Sequence, residues 1–337
     1  MVNAQLKKFA RKIGPDPSSI GAAMMGGILS NNASGMCCGV SQNSYHTIRY
    51  IRFILPDGQV FSTENAGDYA RFERECPGLS GELRDLKAQI ESNPALKSRI
   101  REKYRTKNTV GYSLNSFIDY EEPLDIFAHL LIGGEGTLAF ISEAVLDTVP
   151  DKPFKSTGLL YFTDIFSACQ AIQPLIETGA AMVELMDRAS LRSVEDLEGM
   201  PAIVKTLPPA ASALLVEFQE DSPEELEATV ARFESCLGGF SLVEMPEFTR
   251  NPAMQAFYWK VRKGLFPAVG AVRASGTTVI LEDVAFPLQH LGHAIIDIQQ
   301  LFVKHEYTNG IIFGHAKDGN IHFVVTQTFG TAQEVTR

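Results

Sequence analysis

GLLYFTDIFSACQAIQPLIE, residues 158–177, passes from an unbroken apolar run through an acidic turn into an amphipathic helical pattern. ALLVEFQEDSPEELEATVARF, residues 213–233, repeats that order, and Ser222, Pro223 and Glu225 form a capping box with proline at the first helical position. The likeness is too loose for a tandem repeat. Strand–helix units that return to one sheet predict an α+β layer, ferredoxin-like in arrangement. Beyond them the pattern predicts a helix around Phe257–Phe266, a strand in TTVILEDVAFP (277–287), a helix over His290–His305, and strands Gly310–Phe313 and Ile321–Val325 bracketing a turn.

On the N-terminal side the composition shifts around Pro150–Pro153, which divides the chain into domains 1–150 and 151–337. Two domains also suit 337 residues at about 150 per domain. In the first, SSIGAAMMGGILSNNASGMCCGV (18–40) is rich in small residues that let backbone approach a ligand. TIRYIRFILPDGQVFST (47–63) reads as a β-hairpin around Pro56-Asp57-Gly58. Residues 79–107 have helical period and a cationic run, most simply a solvated face. LDIFAHLLIGGEGTLAFISEAVLDTVP (124–150) sets a glycine turn, Gly133–Gly136, between an apolar helix and a strand Thr137–Val145.

The composition, 45% hydrophobic and 21% charged, is that of a globular protein and excludes a disordered or fibrous chain. A net charge of −10 makes nucleic acid an unexpected partner. No apolar run reaches the ~20 residues of a bilayer span, and MVNAQLKKFARKIG lacks a signal core, so a cytoplasmic location is expected. Five cysteines at irregular spacing, Cys37 and Cys38 adjacent, argue against a disulfide framework or a cysteine metal site; the adjacent pair reads as small side chains packed beside a glycine-rich turn.

GHAKDGNIHF, residues 314–323, is the sharpest local signal for chemistry. His315 and His322 lie at strand ends across a hairpin, where two imidazoles can converge on one metal, and Asn320 offers an amide to a polar ring. From spacing alone an ordinary turn with two incidental histidines is the simpler reading, the signal being weaker than H-E-x-x-H.

Five segments in order, GPDPSSIGAAMMGGILSNNASGMCCG (14–39), KNTVGYSLNSFIDYEEPLDIFAHLLIGGEGTLAFISEA (107–144), VELMDRAS (183–190), EDVAFP (282–287) and GHAKDGNIHF, resemble the FAD-linked oxidases of the vanillyl-alcohol-oxidase superfamily. Among these they are most similar to the D-2-hydroxyacid dehydrogenases acting on D-lactate and D-2-hydroxyglutarate, especially long members fused to iron-sulfur domains. The resemblance implies part of a PCMH-type (p-cresol-methylhydroxylase-type) FAD-binding domain followed by a ferredoxin-like FAD-linked oxidase C-terminal, or cap, domain. It implies that Pro17, Gly26, Gly27, Asn32, Ala33, Ser34, Gly35 and Gly39 approach FAD, with Glu135, Gly136, Thr137 and Ile141 closing over it. Backbone donors without obstructing side chains are the physical need there. It further implies that His315 and His322 bind a divalent metal, zinc or similar, that Asn320 touches the flavin edge, and that Arg262 in YWKVRKGLF grips the substrate carboxylate. Arg262 also reads as a helix-surface cation, and Arg273 is a weaker candidate for the same work.

The activity so implied is oxidation of a D-2-hydroxyacid to the 2-oxoacid by hydride transfer to flavin N5, electrons leaving to a quinone, flavoprotein or iron-sulfur acceptor. Alternatives are another flavin-dependent alcohol oxidase, an alkyl transferase of the same superfamily, or an inactive module that packs against a partner. Lys317 stands where the family usually has glycine and Gly134 where it has serine. The family's pyrophosphate loop is expected upstream of residue 1, and its E-H-G segment, bearing a third metal ligand and the base, downstream of Arg337. The chain therefore reads as an internal fragment, with any iron-sulfur cluster in a missing C-terminal region. A homo-oligomer and a peripheral attachment to the inner membrane are compatible with this reading. Gly35 and Gly136 are expected to line cofactor space rather than to pack the fold.

Overall fold

The computed structural model describes residues 1–109 and 111–336, with the side chains of all but 266–272 and 333; Val110 of the KNTVGYS motif and Arg337 lie outside the described residues. The chain forms two compact units, Met1–Asp151 and Lys152–Arg337.

In the first unit, strands β1 (Arg11–Ile13), β2 (Ile48–Ile54), β3 (Val60–Ser62), β4 (Phe140–Leu146) and β5 (Thr148–Pro150) form a β1–β5 ribbon and a sheet of order β3–β2–β4. The expected hairpin is β2–β3, pairing Phe53 with Phe61, and the Pro-Asp-Gly turn closes through Gly58 N–H to the Leu55 carbonyl. Phe53 and Phe61 are fully buried and meet Phe72 and Phe127, so the inward face of the hairpin anchors the unit's core. The helical period expected over 79–107 is carried by two helices, Pro77–Ser92 and Pro94–Lys103. Pro94 cannot continue the first and begins the second, which the Asn93 side chain caps at the Leu96 N–H. The strand expected from Thr137 begins at Phe140, because Thr137 N–H and Oγ1 both turn back to the Gly134 carbonyl.

In the second unit, β6 (Phe154–Phe162), β7 (Met182–Met186), β8 (Ser212–Glu220), β9 (Phe248–Thr249), β10 (Thr278–Ala285), β11 (Ile311–His315) and β12 (Asn320–Gln327) form one antiparallel sheet of order β10–β12–β11–β7–β8–β6–β9. The two opening segments become β6 with helix Ile165–Glu177 and β8 with helix Pro223–Cys236, and the strands pair along nine residues from Phe154↔Glu220 to Phe162↔Ser212. Because β7 pairs with the far side of β8, β6–helix–β7 is a split β-α-β unit of the ferredoxin-like kind. Asp164 and Ser222 cap the two helices at the N–H groups of Ser167 and Glu225.

At β6 and β8 both faces of the sheet are covered, which is why these strands read as unbroken apolar runs. Leu160, Phe162, Leu185, Leu214 and Val216 pack under helices Ile165–Glu177, Pro223–Cys236 and Leu288–Lys304. Leu159, Tyr161, Met186, Leu215 and Phe313 face the other way, together with Val261 and Leu265 of helix Pro252–Val272. That helix exceeds the predicted Phe257–Phe266 because Asn251 caps it and Pro252 takes its first position. The result is an α+β fold. Among the described residues no helix is long and apolar enough to cross a membrane.

Candidate functional site

The alternation of β7 sends Val183 and Leu185 to one core and Glu184 to the other face, where the carboxylate is completely buried. Two cationic or ionisable partners meet it there. Arg262 Nη2 lies 2.6 Å from Glu184 Oε2, and His315 Nδ1 lies 2.8 Å from Oε1. Burial acts to raise the Glu184 carboxyl, but the charges of His315 and Arg262 outweigh it and hold the group below its ordinary value. Arg262 is 5% exposed, and its guanidinium carbon lies 4.7 Å from the centroid of the Phe313 ring.

The sheet register extends this set across β11, β12 and β10. His315 pairs with Asn320 and with Glu184, and His322 pairs with Phe313 and with Asp283. The imidazoles stand edge to face with their Nε2 atoms 3.4 Å apart, and Asp283 Oδ1 is 3.5 Å from His322 Nδ1. Each ring thus has a carboxylate on Nδ1 and its Nε2 toward the other. Only the neutral form of the His315 ring, with Nδ1–H donating to Glu184, presents an unprotonated Nε2. Two nitrogens at roughly 2.0–2.1 Å from a tetrahedral ion are about 3.3 Å apart, so the pair fits as two of an ion's donors. Among the described residues no group of three or more histidine, cysteine or acidic side chains is arranged to hold a metal. The described residues therefore supply a two-nitrogen donor set.

Asn320 is buried, and its amide nitrogen donates to Asp283 Oδ1 and, at 3.1 Å, to the Val284 carbonyl. Gly319 has φ +65°, and a Cβ there would meet the Phe286 carbonyl oxygen at 1.9 Å, so glycine is required by the turn itself. Lys317 donates to the carbonyls of Ala180 and Ala181 just before β7, tying the histidine turn to the strand that carries Glu184. Arg273 is exposed, with Nε donating to the Thr277 carbonyl, and is not part of this cluster.

In the first unit, the structure brings the two glycine-containing segments together. Gly133 N–H donates to the Leu29 carbonyl, Glu135 N–H to Ser30, and the Asn31 amide to the Glu135 carboxylate at 2.6 Å. Gly26 and Gly27 on helix Met25–Asn31, and Glu135, Gly136 and Thr137 on the turn, are exposed. A Cβ at Gly26, Gly27 or Gly136 would meet nothing within 4 Å, so this backbone is open to a ligand and fits a flavin nucleotide's need for close approach. Asn32 takes a left-handed conformation at the helix end, and its side chain accepts from Tyr45 N–H. Ala33 N–H closes on the Ile28 carbonyl, Pro17 and Gly39 are buried, and Ser34 is half-buried. Ile141, paired with Phe53 in β4, packs against the core.

Gly35 corrects the expectation that its space belongs to a cofactor. A Cβ there would lie 1.9 Å from the Asp16 carbonyl oxygen, and the Asp16 carboxylate accepts from the Cys37 and Cys38 N–H groups. The glycine is demanded by the chain's own packing.

Glu184 is the member of this cluster that reading the sequence missed. Its signal was a lone acid inside the otherwise apolar start of VELMDRAS.

The second unit thus holds a buried arginine–carboxylate–histidine chain on its sheet, and the first holds open glycine backbone. Residues 152–337 match the family model described as FAD linked oxidases, C-terminal domain, and residues 1–64 match that described as FAD binding domain. The chain belongs to the FAD-linked oxidases. It is 26% identical over 338 residues to D-2-hydroxyglutarate dehydrogenase of Pantoea ananatis, covering 95% of this chain and 32% of that protein. It is 27% identical over 211 residues to glycolate oxidase subunit GlcD of Bacillus subtilis, covering 62% of this chain and 43% of that protein. The solved structure of alkyldihydroxyacetonephosphate synthase superposes with a TM-score of 0.62 at 15% identity, over 99% of this chain and 55% of that one, a likeness of fold alone. The chain thus spans about a third to two-fifths of the curated relatives it matches.

Proposed function

We propose that this chain forms the second part of a flavin-binding domain (1–150) and the substrate domain (151–337) of an enzyme that oxidises a D-2-hydroxyacid to the 2-oxoacid. The observation that carries the reading is the buried Arg262–Glu184–His315–His322 chain. Arg262 Nε is buried without a hydrogen-bond partner among the described residues, and its contact with Glu184 is an ion pair without an aligned hydrogen bond. Such a guanidinium keeps donors for a carboxylate ligand, while Glu184 fixes its place. His315 and His322 would hold the divalent ion, with Glu184 and Asp283 orienting the rings. Bound FAD supplies the two-electron acceptor. Gly26, Gly27, Glu135, Gly136 and Thr137 are the residues offered to it, and Asn320 holds Asp283 in place from β12.

This chain spans only part of its relatives' length, and the electron acceptor we propose, whether quinone, flavoprotein or iron-sulfur module, is a group outside the residues described. The choice among lactate, 2-hydroxyglutarate and glycolate is read by assay. The flavin-loaded protein, given D- and L-2-hydroxyacids with an artificial acceptor dye, is expected to form the 2-oxoacid from a D-substrate or glycolate. A protein with bound flavin that turns over none of them overturns the proposal.

A further inference from the structure

Helix Pro252–Val272 is fastened to the sheet at three successive places. Gln255 Nε2 donates to the Lys155 carbonyl in β6 at 2.9 Å. Four residues on, Trp259 Nε1 donates to Glu217 Oε2 in β8 at 2.5 Å. Three residues further, Arg262 meets Glu184 in β7 and lies over Phe313 in β11. The strands β6, β8, β7 and β11 are consecutive neighbours in the sheet. Three to four helical residues advance roughly 4.5–6 Å, and adjacent strands lie about 4.8 Å apart. The helix therefore crosses the strands with one polar contact per strand, each contact displaced by about one strand spacing.

Glu217 is 2% exposed, and all its hydrogen bonds come from neutral donors: Thr157 Oγ1 at 2.8 Å and Trp259 on Oε2, and Gln219 Nε2 at 2.7 Å on Oε1. Among the described residues no lysine, arginine or histidine pairs with it. Burying a carboxylate is costly unless its acceptors are filled, and apolar packing alone would not need one. What this carboxylate does is fix one helix residue, Trp259, to one strand. A one-residue slip of the helix would move Arg262 by about 1.5 Å and rotate it by about 100°, taking the guanidinium off both Glu184 and Phe313.

We propose that Glu217 and Trp259 are positioning residues: their hydrogen bond sets the helix register that delivers Arg262 to the substrate carboxylate. The inference rests on the reading of Arg262 as that carboxylate's grip, and it adds two residues that touch no reacting group. A misplaced guanidinium loses charge-assisted hydrogen bonds to the substrate carboxylate, so the effect is read in KM.

Two readouts test it. In the flavin-loaded protein, Glu217→Leu and Trp259→Phe are expected to raise KM for the 2-hydroxyacid about tenfold with a much smaller change in kcat and unchanged flavin content. Combined with Arg262→Lys, either is expected to add less than its separate effect, because the register no longer matters once the fork is lost. In the 337-residue chain, Trp259 is the sole tryptophan, so Glu217→Leu should shift its emission and open it to acrylamide quenching without changing the far-ultraviolet spectrum. Unchanged emission overturns the clamp. Changed emission with an unchanged KM, while Arg262→Lys still raises KM, overturns the positioning role alone. If Arg262→Lys also leaves KM unchanged, the carboxylate-grip reading falls and this inference falls with it.

Discussion

The glycine turns of the first unit and the charged chain of the second meet opposite needs. The first leaves backbone exposed at Gly26, Gly27 and Gly136, whereas the second buries every member of Glu184–Arg262–His315 to 7% exposure or less. Open backbone can accept a large ligand without rearrangement of side chains. A buried ionic chain is instead assembled by folding and is ready before any ligand arrives. The first region should thus tolerate substitution in its fold while losing its ligand, and the second should lose both together.

The largest effect is expected at Glu184. Glu184→Ala leaves Arg262 buried and unpaired, a loss of about 3–5 kcal/mol on denaturant titration. Glu184→Ala combined with Arg262→Met should recover much of that stability and none of the turnover. Equal stability of wild type and the single variant would show that the pair does not constrain the fold.

His315→Ala and His322→Ala should each lower metal content at least tenfold, with turnover falling in parallel and flavin retained. Metal analysis with unchanged occupancy would return the GHAKDGNIHF hairpin to an ordinary turn.

Glycine substitutions sharpen the contrast within the first unit. Gly27→Val, on an open helix face, should reduce bound flavin while leaving circular dichroism and melting nearly unchanged. Gly35→Ala should cost about 1–3 kcal/mol of stability, since its Cβ must displace the Asp16 carbonyl. Flavin loss without destabilisation at Gly35 would contradict the packing found there.

The effect most confined in its conditions is a pH response of the first unit, absent above pH 6.5. Burial lowers His129 from 6.5 to about 4. The unfolded chain takes up this proton first, so stability should fall as pH drops from 6.5 towards 4, level off below that, and be unaffected by this group above 6.5. The loss is at most about 3 kcal/mol, and His129→Gln should flatten that part of the curve. An identical pH profile in the variant would remove His129 as its source.

Much of the architecture was legible because its signals are local. Ser222-Pro223-Glu225 announces a helix start, Pro-Asp-Gly a hairpin, and the apolar runs at 158–162 and 213–216 buried strands. Helix ends were less legible where one residue arbitrates, as Pro94 does by splitting a continuous periodic pattern. The charged chain was legible only in pieces. The histidine turn and Arg262 stand out, but Glu184 meets His315 across 131 residues, and no local pattern encodes that register. Glu217 was hidden for the same reason. Both are glutamates inside apolar runs that the sheet covers on two faces, and that anomaly is the signal to look for. Gly35 misled because glycine for close chain packing and glycine for ligand approach look alike in sequence.

The most direct test of the account is anaerobic titration of the flavin-loaded protein with D- and L-2-hydroxyacids, followed by flavin absorbance, in wild type and Arg262→Lys. The account predicts bleaching by a D-2-hydroxyacid or glycolate and not by L-enantiomers, with the half-reducing concentration raised at least about tenfold in the variant. Flavin that stays oxidised with every substrate, or a variant that bleaches at the same concentration as wild type, would contradict it.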